Sequence, residues 1–143
     1  MIAIKSDLQC ESTEIKIKCK AEILSINIGL RNGKNICLST LYRVTDLGAE
    51  NHRVVDNYLR HIASRKKCSK MILIGDINLN KVSWPEGTTS CKVQNDFLDT
   101  FNDLNFDQLI NEPTHISGKT LDLLLTNSPG IISKVKVLEE NEV

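Results

Sequence analysis

Residues 71–76, MILIGD, constrain the fold of this chain more than any other stretch. Met71, Ile72, Leu73 and Ile74 run together without alternation, so the segment is expected to be a strand with apolar side chains on both faces. Such strands sit in sheets covered on both sides, as in α/β folds. The strand then meets Gly75 and Asp76, with one spacer before Asn78. Residues two apart in extended chain point the same way, so a carboxylate and an amide are expected to project together. Rigid scaffolds place reactive groups at such strand ends. A carboxylate there serves as general base or metal ligand, and an amide donates to a phosphate oxygen. A plain polar turn is the other reading of the same residues.

The segments around this strand alternate in period. Residues 2–5 read as a short strand, and TEIKIK (13–18) alternates as a half-exposed one. AEILSINIGL (21–30) and NICLSTLYR (35–43) flank RNGK (31–34), whose Asn-Gly pair is a hairpin signal. Val54, Val55, Tyr58, Leu59, Ile62 and Ala63 recur at helical spacing, predicting an amphipathic helix over about 50–66. Val93, Phe97, Leu98, Phe101 and Leu104 predict a second over about 91–104, with Asn105 as a left-handed cap. TLDLLLTN (120–127) and KVKVLE (134–139) read as strands, and SPG (128–130) as a turn between them. Strands first, then helices interleaved with buried strands, predict two stacked sheets with helices outside, in one domain over residues 1–143.

Charge narrows the partners. Lys+Arg and Asp+Glu are 18 each, so no global field attracts nucleic acid or a membrane surface. Arg60, Arg65, Lys66, Lys67 and Lys70 cluster at the first helix's end. They read as a solvated helix terminus or as a phosphate-facing patch. The five cysteines are odd in number and no pair is spaced C-x-x-C, so free thiols are expected rather than a zinc site or disulfide framework. No run approaches the roughly 20 apolar residues that span a bilayer, so an intracellular chain without a membrane partner is expected.

Asp122 lies within a leucine run, and burying an ionised carboxylate requires a partner. Thr120 or Thr126 could satisfy it, or it could orient a histidine as acids do in triads. Tyr42 closes its strand and could place its hydroxyl in the same mouth.

Together these pieces resemble a known family. ILIGDINLNKVSW resembles the GDFN…W segment of the endonuclease/exonuclease/phosphatase superfamily. QNDFLDTFNDLNFDQLINEPTHISGKTLDLLLTN is similar to the apurinic/apyrimidinic-like endonuclease domain of non-LTR retrotransposons. ICLSTLYR is similar to the strand ending YRPP there, with Val44-Thr45 in place of the prolines. The resemblance covers residues 2–138, and NEPTHISGKTLDLLLTN is its most specific part.

The resemblance implies a four-layer α/β sandwich, two mixed and mainly antiparallel sheets face to face with outer helices. It implies Mg²⁺- or Mn²⁺-dependent phosphodiester hydrolysis, nicking of target DNA, and a reverse transcriptase domain in cis. By position, Asp76 matches the acid that activates water and is a possible metal ligand. Asn78 matches the amide holding water and phosphate, Tyr42 the tyrosine near the scissile phosphate, and Asp122 the acid orienting the catalytic histidine. Trp84 lies in a loop near DNA in the family, with plain packing as the alternative; Thr114 and His115 are candidate substrate contacts. The resemblance also implies that a functional enzyme of this type would act in the nucleus.

The family's metal-binding glutamate is expected before residue 1 and its closing Ser-Asp-His motif after LEENEV, so the domain is expected to be incomplete at both ends. His52 and His61 read as surface residues. The alternative function is a catalytically inactive remnant keeping only the fold core. A superfamily phosphodiesterase acting on lipid or inositol phosphate is a further reading, against which the EPT…LDLLLTN pattern argues.

Overall fold

The computed structural model describes residues 8–13, 19–46 and 48–138. These form a six-stranded mixed sheet and two helices, an α/β fold. The strands are β1 (Cys10–Thr13), β2 (Glu22–Gly29), β3 (Asn35–Tyr42), β4 (Cys68–Asp76), β5 (Asp107–Gln108) and β6 (Asp122–Thr126). Their order across the sheet is β1-β2-β3-β4-β6-β5. The helices are α1 (Ala49–Ala63) and α2 (Lys92–Asp103). The strands expected over 2–5 and most of 13–18 lie outside the described residues.

Local chemistry accounts for the turns and caps. Gly33 takes φ +75°, and Leu30 exchanges backbone hydrogen bonds with Lys34 and Gly33 to close the β2–β3 hairpin. After α2, Asn105 adopts φ +54° while Phe106 N–H reaches back to Phe101 O at 2.9 Å. Phe106 then packs its ring 6.3 Å from that of Phe101, the hydrophobic contact that accompanies such a cap.

Among the described residues only the β3–β4 pairing is parallel, with α1 as its crossover; the other pairings are antiparallel. MILIGD is therefore a central strand, between β3 and β6. Its Met71 and Leu73 join Cys37, Leu41, Leu123 and Leu125 in the core under both helices. Val55, Tyr58, Leu59 and Ile62 of α1 and Phe97, Leu98 and Phe101 of α2 close that core from above. Fully burying each such side chain contributes about 1.5–3 kcal/mol. Three hydroxyls within it pair with one another: Tyr58 Oη donates to Ser25 Oγ at 2.6 Å, and Ser25 Oγ lies 2.6 Å from Ser39 Oγ.

Four expectations change. Cover on both faces of MILIGD holds only for the helix side, because Ile74 on the other face is 41% exposed. A second sheet is not among the described residues, which form one sheet and one helical layer. Lys134–Leu138 form no strand; Val135 and Val137 are half-buried, but the alternating pattern finds no strand to pair with among the described residues. The expectation of free thiols fails for one pair. Cys37 on β3 and Cys68 on β4 bring their sulfur atoms into bonding contact, with Cα atoms 5.9 Å apart, while Cys10, Cys19 and Cys91 are free.

Candidate active site

Strand register builds the site. Glu22 pairs with Tyr42 across β2 and β3, and Asp76 pairs with Asp122 across β4 and β6. The parallel β3–β4 register runs Thr40 to Ile74 and continues as Arg43 N–H to Asp76 O at 2.9 Å. Alternation of side chains then sets Glu22, Tyr42, Asp76 and Asp122 in one row, on the face opposite the helices. A cavity of about 430 Å³ lies along this row, lined by Glu22, Leu24, Thr40, Tyr42, Gly75 and Asp76 among others.

Gly75 makes the end of β4 possible. Its φ is +147°, and a Cβ there would collide with the carbonyl of Leu41. The backbone thus passes closely by β3 before Asp76. Asp76 Oδ1 is buried without a hydrogen-bond partner. Burial and the neighbouring Asp122 carboxylate hold the Asp76 pKa above its ordinary value, while the amides of Asn78 and the His115 ring act the other way. The result is a carboxylate more basic than usual beside a second carboxylate. Two such groups are what a divalent cation binds, and Mg²⁺ commonly takes only one or two carboxylates and keeps water in its other positions. No group of three acid, histidine or cysteine side chains converges among the described residues. Asp76 and Asp122 are the paired carboxylates in this row that could hold such a cation, with water in its other positions.

Asn78 reaches the site by another route than strand alternation. The strand ends at Asp76, and Asn78 takes the left-handed conformation with φ +52°. Its side-chain Nδ2 donates to Arg43 O at 3.0 Å. The expected parallel projection with Asp76 is corrected, because only extended residues alternate. Asn78 nevertheless stays beside Asp76, close enough to favour its charged form.

Asp122 is not the buried carboxylate that its leucine run leads one to expect. Its neighbours Leu123, Leu124 and Leu125 are buried, but Asp122 is exposed, at the mouth of the row. It needs no buried partner. Neither Thr120 nor Thr126 serves it: Thr120 Oγ1 donates to Glu112 O and Thr126 Oγ1 to Met71 O. Thr114 fixes its backbone instead, its Oγ1 accepting from the N–H groups of Leu121 and Asp122, both at 3.0 Å. Tyr42 is 47% exposed and lines the cavity.

His115 is exposed in the loop ahead of β6. Ser117 N–H donates to its Nδ1 at 3.1 Å, and Ser117 Oγ lies 2.7 Å from the same atom. Nδ1 is thus an acceptor, which leaves the neutral ring's proton on Nε2. Trp84 lies apart from this row. It packs against the core and lines a separate cavity with Leu98, Phe101 and Leu125. His52 is buried rather than on the surface, 4.1 Å ring to ring from Phe97. His52 stands three residues before Val55 and seven before Leu59, so its own helical spacing already marked the core face.

Two residues escaped the sequence reading. Glu22 opens a strand whose pairing alone brings it beside Tyr42. Arg43 follows Tyr42 and is only 1% exposed. Arg60 in the last turn of α1, and Lys66 and Lys67 after it, do not join this site. Arg60 pairs with Asp56 and Asp103, each at 2.7 Å. Lys66 and Lys67 precede the first residue of β4, which places them roughly 25–30 Å along the strand from Asp76.

The family model described as endonuclease-reverse transcriptase matches residues 36–142, about three quarters of the chain. No curated protein matches. The matched span holds Tyr42, Arg43, Asp76, Asn78, Thr114, His115 and Asp122, and no described helix is long and apolar enough to cross a membrane. The chain belongs to the endonuclease-reverse transcriptase family, as an endonuclease/exonuclease/phosphatase-type domain of retrotransposon origin.

Proposed function

We propose that this chain belongs to a Mg²⁺-dependent endonuclease that hydrolyses phosphodiester bonds in DNA. The observation that carries the reading is Asp76, a partly buried carboxylate with an unpartnered oxygen, set beside Asp122 at the end of a central strand. A carboxylate in that position is suited to hold a metal ion or to take a proton from an attacking water. Tyr42 offers an exposed hydroxyl to a phosphate oxygen along the same cavity. Asn78 keeps an amide beside the Asp76 carboxylate, where it orients the group. Asp76 and Asp122 would hold Mg²⁺, which supplies Lewis-acid stabilisation of phosphate charge when bound. DNA as substrate, with a reverse transcriptase domain in the same polypeptide of an intact element, follows the family to which the chain belongs.

The test is nicking of supercoiled plasmid by the purified chain, in Mg²⁺ or EDTA, beside Asp76→Ala. Nicking that requires metal and vanishes in the variant supports the reading. Folded protein that nicks no faster than Asp76→Ala overturns it, and assigns the chain to a catalytically inert core of the same family.

A further inference from the structure

The buried cation behind the site is used by none of the chemistry above. Arg43 sits at the end of β3 and makes no salt bridge among the described residues. Its guanidinium instead faces the backbone of the segment that carries the reactive groups. Nη1 donates to Asn78 O at 2.9 Å and, at a longer 3.4 Å, to Ile77 O. The Arg43 backbone N–H donates to Asp76 O at 2.9 Å, and Asn78 Nδ2 donates back to Arg43 O at 3.0 Å. One residue thus binds three consecutive residues, 76 to 78, through both its main chain and its side chain.

That segment requires holding. Asp76 is bracketed by Gly75 at φ +147° and Asn78 at φ +52°, conformations that an ordinary side chain resists. The N–H groups of Ile77 and Asn78 are taken by a single acceptor, Leu121 O, at 3.0 and 3.2 Å. The carbonyls have Arg43. On its other side the guanidinium carbon lies 5.1 Å from the centre of the Phe97 ring, which fixes the side chain against α2. A neutral donor would serve one carbonyl less strongly, since hydrogen bonds from a charged group are roughly twice as strong.

We propose that Arg43 is a positioning residue of the nuclease site, clamping Asn78 in its left-handed conformation and so setting the aim of the Asn78 amide and the Asp76 carboxylate. This rests on the nuclease reading for its consequence and not for its geometry. Misplacement of a catalytic group by about 1 Å costs on the order of 100-fold in rate. The loss falls on kcat more than KM, because the groups act on the reacting phosphate and not on the bulk of the DNA.

The experiment compares the wild type with Arg43→Met and Arg43→Lys. Met keeps the side-chain length over Phe97 and removes every donor; Lys keeps the charge and one donor. Circular dichroism checks the fold. The HN–Hα coupling and Cα/Cβ shifts of Asn78, read by NMR, report its φ. Nicking kinetics give kcat and KM. The expected result for folded Arg43→Met is loss of the left-handed signature at Asn78 and a kcat lower by about 10- to 100-fold. Arg43→Lys should recover part of both. An Asn78 signature retained in Arg43→Met overturns the proposal, whatever the rate does. If Arg43→Met does not fold, Arg43→Lys decides: an unchanged Asn78 signature with unchanged kcat overturns it, and intermediate values support it. If the wild type itself does not nick, the nuclease reading has failed, and the Asn78 signature alone still decides the clamp.

Discussion

Asp76 and Asp122 stand directly opposite each other, Cα partner to Cα partner, where β4 ends and β6 begins. Like charges across a strand pair are destabilising. Burial adds to this at Asp76, whose pKa is raised above 3.8 in the folded chain. The folded state therefore holds the Asp76 proton more tightly than the unfolded chain does. That contribution to stability is complete below about pH 3.8 and is lost as pH rises through the raised folded value. Asp76→Asn should be more stable than wild type at pH 7 and should lose that advantage near pH 3. Urea denaturation at the two pH values checks it; equal differences at both would show that the charge is not the cause.

A cation binding this pair should reverse the penalty. Anything that binds only the folded state raises its stability by mass action. Mg²⁺ at millimolar concentration should raise the melting temperature of the wild type, and should leave Asp76→Asn and Asp122→Asn unshifted. Melting curves with Mg²⁺, and with equal ionic strength from NaCl, separate site binding from screening.

His52 gives an opposite pH dependence. Burial pulls its pKa below 6.5, against the weaker pull of Asp96 and Asp56. The unfolded chain takes up a proton that the folded chain resists. Its contribution to stability is therefore full above about pH 6.5 and declines as pH falls towards the lowered folded value. His52→Phe should flatten the stability curve below pH 6.5 while keeping the stack on Phe97. Denaturation midpoints from pH 7.5 to 5 in both proteins measure this, and parallel curves would refute it.

Gly75→Ala should destabilise the chain by at least about 2 kcal/mol. Two mechanisms add: the φ of +147° resists a side chain, and the new Cβ meets Leu41 O. Chemical denaturation provides the number. A loss under about 0.5 kcal/mol would place this backbone elsewhere than described.

Thr114→Val should cost about 1–2 kcal/mol, since the N–H groups of Leu121 and Asp122 both lose their acceptor. Thr114→Ser retains the hydroxyl and should recover most of that loss. Amide exchange at Asp122 should accelerate in the valine variant and stay slow in the serine one.

Much of the secondary structure was legible because it depends on near neighbours. Apolar spacing marked α1 and α2 to within a few residues, Asn32-Gly33 announced the β2–β3 hairpin, and Asn105 was visible as a cap. The same logic failed where its premise was only local. The pattern at 134–139 predicts a strand, but a strand needs a partner edge as well, and 134–138 find none among the described residues. The leucine run around Asp122 predicts burial, but the carboxylate falls at the strand's open end. Strand alternation predicts that Asn78 projects with Asp76, but the strand stops at Asp76, two residues before it.

By itself the sequence determined which segments bury apolar faces, which turns demand glycine or asparagine, and which family the motifs belong to. All of these are encoded in spacings of a few residues. Only the tertiary structure decided that Glu22, Tyr42, Asp76 and Asp122 share one row, that Cys37 meets Cys68, and that Arg43 turns inward onto residues 76–78. Those relations join neighbours 20 to 46 positions apart along the chain. They depend on strand register and on the crossover through α1, and no local period carries that information.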